Sequence, residues 1–590
     1  MDGIFMVLSL VGGLVLFLYG MDQMGDGLKR MAGGKLESIL ARLTSSPLKG
    51  FLLGFFVTAI IQSSSATTVM LVGFVNSGIM HLGQTIGVIF GANLGTTVTA
   101  WLLSTSQIGG TGAADILQLF KPSSFTPVLA LIGFLLILTA KKDNRKQLGI
   151  IFLGFAILMF GMEMMSDAVA PLKDNEAFKG ILTAFSNNPI MGILVGTAFT
   201  AIIQSSSASV GVLQALALSC VIPFSTAIPI ILGQNIGTTI TPVISSLSGN
   251  TASKRVAAAC VYIKMIGVAV VCGIFYILHG VMDFAFMDEA VSPMSIAIVH
   301  TLFNIISTVI LLPFGKWIEK LATKTFRDKK QQEQADPFAT LDERFLNMPG
   351  FAVEKSKDLV CEMSRISIEA LHQASSLLKN YDDAVFAKVG ELEGLVDKYE
   401  DKISTYLLKI TTGETSTSES KTVTALLHSV GDIERISDHA LNIAEAAKEI
   451  YDKDIHFSDK ATEDLAVITA AVAEIITLAT QALANNDLNV AQQVEPLEQV
   501  IDRLKRKIKN GHIDRLRQGD CTMEMGFILS DLLNNYERIS DHCSNIAVCI
   551  IESAHGSLEM HEYLSQLKAG DQTDFRSMYE QYKAKYALHS

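Results

Sequence analysis

Charged residues are scarce in the first 317 positions of this chain, and their scarcity divides the sequence into two parts. Residues 1–317 are almost continuously apolar, whereas residues 318–590 are charged and largely without apolar runs long enough to span a membrane. A helix needs about 20 apolar residues to cross the hydrocarbon core of a bilayer. The division therefore predicts a membrane domain followed by a soluble domain.

Other absences exclude classes of function. The seven cysteines include no C-x-x-C pair, which favours buried thiols over a disulfide framework or a zinc site. No G-x-x-x-x-G-K-[ST] sequence is present, so the chain carries no recognisable ATP motor of that type. The net charge of −12 comes mainly from the soluble part, and no strong basic patch favours nucleic acid as a partner. The apolar segment 4–19 lacks a basic flank and a clear cleavage site, which predicts a first helix rather than a signal peptide.

A polar motif occurs twice within this apolar sequence. Residues 58–66 read TAIIQSSSA, and residues 200–208 read TAIIQSSSA again. Lipid offers no partner to a carboxamide or a hydroxyl group, so such a motif in a membrane domain needs a reason. Its recurrence suggests one site built from two halves.

The match between the two regions extends far beyond the motif. Ser46-Pro47 aligns with Asn188-Pro189, and GANLGTT at 91–97 aligns with GQNIGTT at 233–239, all at an offset of 142 residues without a gap. We therefore expect two repeats, over residues of about 10–104 and 151–246.

The charges of the loops predict opposite orientations for the two repeats. The short basic loop at 141–146 is expected in the cytoplasm by the positive-inside rule. The loop after the first helix is basic, whereas its equivalent after Met165 mixes two lysines with three acidic residues. Equivalent segments would then point opposite ways, which is typical of secondary transporters. The same reasoning places the C-terminal domain in the cytoplasm.

Within each repeat, the motif lies at a break between two short apolar segments. Residues 47–80 and 189–221 read as re-entrant hairpins, because each arm of about 15 residues is short for a full crossing at about 1.5 Å per residue. The later N-x-G-T-T sequences should interrupt another helix in each repeat.

The tips of these hairpins offer hydroxyl groups, carboxamides and backbone N–H groups at the start of a helix. Helix N-termini bind anions such as phosphate, and neutral oxygen ligands suit Na⁺. The alternative is that Ser and Thr only bond back to their own helix or join helices together. The candidate substrate- and ion-binding residues are Gln62, Ser63, Ser64, Ser65, Asn93, Thr96, Thr97, Gln204, Ser205, Ser206, Ser207, Asn235, Thr238 and Thr239.

The doubled Q-S-S-S motif with the later N-x-G-T-T resembles the type II sodium–phosphate cotransporter family in its bacterial form, over residues 1–317. The resemblance implies Na⁺-coupled movement of inorganic phosphate across the bacterial inner membrane, with import and export both open. The sequence HTLFN at 300–304 resembles a signature of the family. His300 is as well explained by packing as by a proton or ligand role.

The soluble part contains a second duplication. ERISDH occurs at 434–439 and at 537–542, and E-x-x-x-D lies upstream at 393–397 and at 498–502. The periodicity predicts two three-helix bundles over residues 345–560. Residues 318–344 read as a polar linker, and residues 561–590 as a polar tail that packs loosely or is disordered.

Carboxylates four residues apart share a helix face, and close like charges need a compensating proton, Arg or metal ion. An oxygen-rich site would favour Mg²⁺, Mn²⁺ or iron, and a solvated helix face paired with Arg435 and Arg538 explains the pattern equally well. These residues resemble PhoU, a regulator of phosphate transport with multinuclear metal sites. The candidate metal ligands are Glu393, Asp397, Glu434, Asp438, Glu498, Asp502, Glu537 and Asp541.

The sequence thus predicts an all-α protein in which a polytopic membrane domain of inverted repeats precedes a PhoU-like pair of bundles. The expected function is alternating-access symport of phosphate with Na⁺, regulated by the cytoplasmic domain. One alternative is a membrane-tethered phosphate sensor that acts through signalling proteins or a homodimer, and another is a phosphate exporter. An enzyme is not expected, because no His and acid lie near the Ser clusters in sequence to activate a nucleophile.

Overall fold

The computed structural model describes residues 2–32, 46–105, 122–140, 142–177, 180, 188–219, 221–327, 337–413, 415–555 and 573–588. Among these residues the secondary structure is helical, apart from one isolated bridge between Pro223 and Ala290. The all-α prediction is therefore confirmed. The chain forms two compact units, Met1–Met348 and Pro349–Ser590. Six cysteines among the described residues are free thiols, and Cys220 lies outside those residues.

The first unit carries the apolar helices. They are α1 (Asp2–Ala32), α2 (Pro47–Ile61), α3 (Ser64–Asn76), α4 (Leu82–Gly95), α5 (Thr97–Ser104), α6 (Pro122–Thr139), α7 (Asp143–Val169), α8 (Pro189–Ile203), α9 (Ser206–Ser219), α10 (Phe224–Gly237), α11 (Ile240–Ser246), α12 (Thr251–Met282), α13 (Pro293–Leu311) and α14 (Gly315–Thr325).

Seven helical stretches among the described residues are long and apolar enough to cross a membrane. Six of them belong to the first unit. The seventh is the helix Asp459–Asn485 of the second unit, where Ile468, Val472 and Ile475 are buried in a bundle core. Because its apolar side is already covered by protein, we assign it to the bundle and not to the membrane.

The first helices of the two repeats, α1 and α7, pack against each other in opposite directions. Gly20 of α1 lies against the backbone of Leu158 in α7. Gly13, which comes earlier in α1, lies against Met165, which comes later in α7. The absence of a side chain at Gly20 is required, since a Cβ there would lie 2.3 Å from the Leu158 nitrogen. Equivalent helices of the two repeats are therefore antiparallel, as the inverted repeat requires.

Both predicted hairpins are present. In the first, α2 and α3 flank a break at Gln62 and Ser63, and in the second α8 and α9 flank a break at Gln204 and Ser205. Each hairpin begins with a proline, Pro47 or Pro189, in the first turn of its first helix. The N–H that proline lacks would have no partner within the helix at this position, so no hydrogen bond is lost. The arms are 13 to 15 residues long, so they span about 20 Å and not a full hydrocarbon core.

The predicted linker at 318–344 is partly structured. Residues 318–325 continue α14, and the first unit extends to Met348. Phe345 is fully buried against Phe74, with ring centroids 5.5 Å apart, and Asp342 accepts a 2.8 Å hydrogen bond from the Asn76 side chain. The polar composition of the segment concealed these anchors. Residues 328–336 lie outside the described residues.

The second unit contains the two predicted three-helix bundles. The first comprises α15 (Pro349–Leu377), α16 (Asp383–Thr411) and α17 (Thr417–Asp452). The second comprises α18 (Asp459–Asn485), α20 (Val494–Gln518) and α21 (Met523–His555), with α19 (Leu488–Ala491) as a short turn. Helices α17 and α21 pack together and join the bundles.

The polar tail differs from its prediction. Residues Thr573–Lys585 form α22, which packs on α20, and Tyr586 is buried. Its hydroxyl group and the Lys585 ammonium group both contact the Glu474 carboxylate. An amphipathic helix with an anchoring tyrosine therefore ends the described chain, while residues 561–572 lie outside the described residues.

Candidate functional site

The two hairpin tips share one backbone conformation. Gln62 has φ 60° and Gln204 has φ 59°, both in the left-handed region, and each N–H donates to the carbonyl of the threonine four residues before it. A left-handed residue that is not glycine costs about 1–2 kcal/mol. Its occurrence at the same position of both repeats indicates that each tip is built around this sharp reversal.

The first serine of each motif caps the second arm of its hairpin. The Ser63 hydroxyl accepts a 3.1 Å hydrogen bond from the N–H of Ala66, and the Ser205 hydroxyl accepts a 3.2 Å bond from the N–H of Ala208. These side chains satisfy donors that the start of a helix leaves open. Their hydroxyl protons stay available, so each cap can still donate to a ligand.

The two glutamines differ in their surroundings. Gln62 is only 6% exposed, its Oε1 accepts a 2.9 Å bond from the Thr99 hydroxyl, and its Nε2 donates to the carbonyl of Ala59. Gln204 is exposed, whereas Ser206 and Ser207 behind it are buried. The first carboxamide is thus held inside the protein and the second faces an accessible space.

The tips of the two hairpins meet. The Ser65 hydroxyl of the first tip donates a 3.3 Å hydrogen bond to the Gln204 carbonyl of the second. The hydroxyl and the carbonyl belong to residues 139 positions apart. The two motifs are far apart in the sequence, and this hydrogen bond joins them in the folded protein.

A narrow cavity opens beside this meeting point. Its described lining is Ser64, Ser65, Thr68, Ile89, Asn93, Thr238, Thr239, Pro242, Cys260 and Lys264. The lining combines residues of α3, α4, α11 and α12 with the break between α10 and α11. In this conformation it has room for little more than one water molecule.

Five predicted residues line the cavity, namely Ser64, Ser65, Asn93, Thr238 and Thr239. Asn235 reaches it indirectly, because its Oδ1 accepts a 2.9 Å hydrogen bond from the Lys264 ammonium group. The predicted residues that do not line it are Gln62, Ser63, Thr96, Thr97, Gln204, Ser205, Ser206 and Ser207.

The threonines at the later breaks bond back to their own helices. Thr96 donates to the carbonyl of Ala92 at 3.0 Å, and Thr97 to that of Leu94 at 2.7 Å. In the second repeat Thr238 and Thr239 do the same at 2.7 and 2.8 Å, yet both still line the cavity. Back-bonding occupies the hydroxyl proton and leaves oxygen lone pairs, which are what a cation needs.

The lining residues that sequence reasoning missed are Thr68, Ile89, Pro242, Cys260 and Lys264, and Lys264 is the one that carries a charge. Lys264 lies in the middle of α12, within apolar sequence, and only 8% of it is exposed. An ionisable residue inside a membrane helix is a functional candidate by default, so the signal was present in the sequence. It was overlooked because Lys264 belongs to neither motif.

His300 of α13 is buried, at 2% exposed, and its Nδ1 has no hydrogen-bond partner among the described residues. Its backbone carbonyl accepts a 2.9 Å bond from Asn304. It does not line the cavity. The position of His300 is consistent both with packing and with binding or transferring a proton.

In the second unit, a first acidic cluster joins α16 and α17. Glu393, Asp397 and Asp438 each place a carboxylate oxygen within 4.8 Å of the others. Glu434 lies beside them, and burial together with Asp438 and Asp397 raises its pKa to about 6. Burial and neighbouring acids also raise the pKa of Asp438 and that of Glu393. Such mutual repulsion favours a bound cation or protons.

The equivalent residues of the second bundle have basic partners. Lys505 forms an ion pair with Glu537, Arg506 lies 3.7 Å from Asp502, and Arg538 lies 3.6 Å from Asp541. Glu498, the remaining predicted ligand, lies on α20. Only the first-bundle carboxylates form a potential metal-binding group among the described residues.

The two histidines after the acidic motifs face each other between the bundles. His439 shares a 2.8 Å hydrogen bond with Asn535, and His542 shares one of 2.8 Å with Asp432. The ring centroids lie 5.8 Å apart. Both imidazoles are therefore engaged with α17 and α21, and neither belongs to the three-carboxylate cluster.

Comparisons with known proteins agree with this geometry. The family model described as Na+/Pi-cotransporter matches residues 16–167 and again 157–295, and the PhoU domain model matches 360–447 and 467–550. The chain is 33% identical to the uncharacterised protein YqeW of Bacillus subtilis over 315 residues, which cover 53% of this chain and 96% of that protein. The chain belongs to the Na+/Pi-cotransporter family.

Two further relatives extend the comparison. YjbB of Salmonella typhimurium, provisionally named an inorganic phosphate export protein, is 24% identical over 567 residues, covering 94% of this chain and 99% of that protein. The sodium-dependent phosphate transport protein 2A of Rattus norvegicus is 33% identical over 103 residues, covering 17% of this chain and 16% of that protein. Each of the two matches to the Na+/Pi-cotransporter model contains one hairpin and its Q-S-S-S tip.

The PhoU-domain matches contain the acidic clusters, so their fit to a metal can be judged from the donors. The first cluster offers three carboxylates close together, with no ion pair to a basic side chain among the described residues. That donor set suits a hard divalent cation. In the second cluster, Lys505, Arg506 and Arg538 supply positive charge of their own, so a metal is less needed there.

Proposed function

We propose that this protein transports inorganic phosphate across the bacterial cell membrane by alternating access, coupled to Na⁺, under the control of its PhoU-like domain. The observation that carries the proposal is the meeting of the hairpin tips, where Ser65 of one repeat donates to Gln204 of the other. Because equivalent helices α1 and α7 run antiparallel, a site shared by both hairpins can be reached from either face by related movements.

The chemistry of the cavity suits both an anion and its coupling ions. Helix α3 begins at Ser64, so its N-terminal N–H groups and hydroxyls favour an oxyanion, and Lys264 adds a positive charge. Asn93, Thr238 and Thr239 offer oxygens of the kind that hold Na⁺. The cavity is too narrow for phosphate in this conformation, so substrate entry requires the tips to separate.

Sodium coupling is tested by phosphate flux in proteoliposomes that contain the full-length protein. A Na⁺ gradient should drive uptake of labelled phosphate, and replacement of Na⁺ by K⁺ or choline should abolish the accumulation. Empty liposomes and an Asn93→Ala variant serve as controls. Flux that is indifferent to the cation gradient would rule out symport with Na⁺.

Export is the second candidate for direction, because the full-length relatives carry that provisional name. Vesicles of the two orientations separate import from export. If the physiological direction is outward, inside-out vesicles should accumulate phosphate at physiological ion gradients and right-side-out vesicles should not.

We also propose that the PhoU-like domain binds a divalent metal through Glu393, Asp397 and Asp438, and that the bound ion neutralises their repulsion. The domain would lie in the cytoplasm and adjust transport or pass the phosphate signal to partner proteins. A chain that ends after Met348 tests this role. Transport by the truncated chain that responds to phosphate supply as the full chain does would refute regulation by the domain.

A further inference from the structure

Lys264 is distinguished from the other charged residues of the first unit by its burial. Among the described residues of that unit, it is the only Lys, Arg, Asp or Glu that is buried. It lies 13 residues from the start of α12 and 18 from its end, about 20 and 27 Å along the helix axis. Its ammonium group therefore cannot reach water by extending beyond either helix end.

Its environment does not compensate the charge. The hydrogen bond that it makes among the described residues goes to the Asn235 carboxamide, a neutral acceptor, at 2.9 Å. An ammonium group carries three donors, so two remain for other partners. A buried cation without a counter-ion is energetically costly. A charged residue inside a membrane helix is therefore expected to pair with another charged or polar group in at least one state of the protein.

The position of Lys264 indicates what that partner is. Its side chain lines the same cavity as Ser64, Ser65 and Thr239, beside the N-terminus of α3. The Ser64 hydroxyl group, the start of α3 and the Lys264 ammonium group converge there. An oxyanion is the chemical class that satisfies all three at once.

We propose that Lys264 is an oxyanion-binding residue, whose fixed ammonium group neutralises part of the charge of the transported anion. The proposal rests on the proposed transport of phosphate and deepens it, since it names the group that pairs with the substrate. Asn235 positions the ammonium group through its Oδ1 atom.

The test measures both binding and stability of the full-length protein in detergent. Radiolabelled phosphate and radiolabelled sulfate are the probes, with Lys264→Met and Lys264→Arg as variants. Lys254→Gln, which alters another lysine of α12 away from the cavity, is the matched control. Lys264→Met should weaken phosphate binding at least about 30-fold, the low end for truncating one partner of a buried charge pair, while Lys264→Arg keeps most of it.

The stability of the same variants separates ligand binding from packing. Without ligand, Lys264→Met should unfold at the same or a higher temperature than the wild type, since an apolar group replaces an unpaired buried charge. A fall in the melting temperature parallel to the loss of binding would overturn the proposal, and so would equal losses in the Met and Arg variants.

The two probes also separate this proposal from the function on which it rests. If the wild-type protein binds sulfate and not phosphate, and Lys264→Met abolishes that binding, then the oxyanion role stands and the phosphate assignment falls. If the wild type binds phosphate and Lys264→Met binds it equally well, then the role of Lys264 is refuted while the transport function stands. Binding of neither anion by the wild type refutes both.

Discussion

The two hairpin tips have the same nine-residue sequence and the same backbone, yet they differ in how their side chains are used. Gln62 is buried and hydrogen-bonded to Thr99, whereas Gln204 is exposed. Serines of the first tip line the cavity, and the second tip reaches it only through the Gln204 carbonyl that meets Ser65. The turn is the same in both copies, while the helices around each copy decide which atoms face the cavity.

The soluble unit repeats this lesson. Its two acidic motifs are also copies, but the first forms a group of three carboxylates and the second pairs with Lys505 and Arg538. In both units, therefore, the two copies of a motif have different surroundings. Four experiments can break or sharpen that comparison.

The largest difference is expected between the two glutamines. Gln62→Ala should lower the free energy of unfolding by about 1–3 kcal/mol, because it leaves the Thr99 hydroxyl without its partner in a buried site. Gln204→Ala should change it by less than about 0.5 kcal/mol, as expected for an exposed side chain. Thermal unfolding of the detergent-solubilised protein measures both, with Thr99→Val as the control that removes the same hydrogen bond. Equal losses at 62 and 204 would show that the asymmetry is absent in solution.

The second experiment compares the acidic clusters. Asp397→Asn should remove about one bound Mn²⁺ per chain, because it takes one carboxylate from the only three-carboxylate group among the described residues. Asp502→Asn, at the equivalent position, should leave the metal content unchanged. Elemental analysis of protein loaded with Mn²⁺ and then desalted gives the stoichiometry. Equal loss in the two variants would mean that both bundles bind metal alike.

The third experiment uses pH. Burial and Asp438 raise the pKa of Glu434 to about 6, so the folded protein holds this proton more tightly than the unfolded chain does. Without metal, the contribution of Glu434 to stability should therefore grow as the pH falls from 7 to 5. The gain in melting temperature on acidification should be smaller in Glu434→Gln, which cannot titrate.

Excess Mn²⁺ should reverse that trend, because a metal binds the deprotonated carboxylates and is released by acid. Glu537→Gln, at the equivalent position of the second bundle, is the matched control. A metal-free protein that loses stability on acidification in step with Glu434→Gln would contradict the assignment of Glu434.

The smallest effect is expected at the second turn. Gln204→Gly should raise the free energy of unfolding by about 0.5 kcal/mol. Glycine removes the strain of a left-handed residue, which is worth about 1–2 kcal/mol, but it also increases the entropy of the unfolded chain, which costs about 0.5–1 kcal/mol. Gln62→Gly gains the same relief but loses the hydrogen bond to Thr99, so it should be destabilising. Opposite signs at two residues of equal φ would isolate the effect of environment. A destabilised Gln204→Gly would show that the exposed carboxamide has a structural role.

Much of the architecture could be predicted because it depends on local pattern. Apolar runs interrupted at Gln62 and Gln204 predicted the hairpins, and the spacing of apolar residues predicted the bundles. The linker and the tail were misjudged because one or two anchors within polar sequence, such as Phe345 and Tyr586, depend on the surface that receives them.

The candidate site was only partly predictable for a similar reason. The sequence shows which residues are polar but not which helix faces converge. Thr97 and Thr239 look equivalent, yet only Thr239 lines the cavity. Lys264 joins the cavity from α12, a helix outside both Q-S-S-S motifs, and only the tertiary structure brings it there.

The antiparallel packing of α1 and α7 restricts the number of membrane crossings that can lie between the two repeats. Two copies of a repeat can face opposite sides of a membrane only if an odd number of crossings separates their equivalent points. Among the described residues before α7, the apolar segments outside the re-entrant hairpin are α1, the α4–α5 pair and the shorter α6, and a crossing by each of the three would satisfy this rule. Gain or loss of a single crossing in this stretch would turn the second repeat over and carry its tip away from the first. Descendants of such a duplication can therefore lengthen loops freely, but they can add membrane helices between the repeats only in pairs.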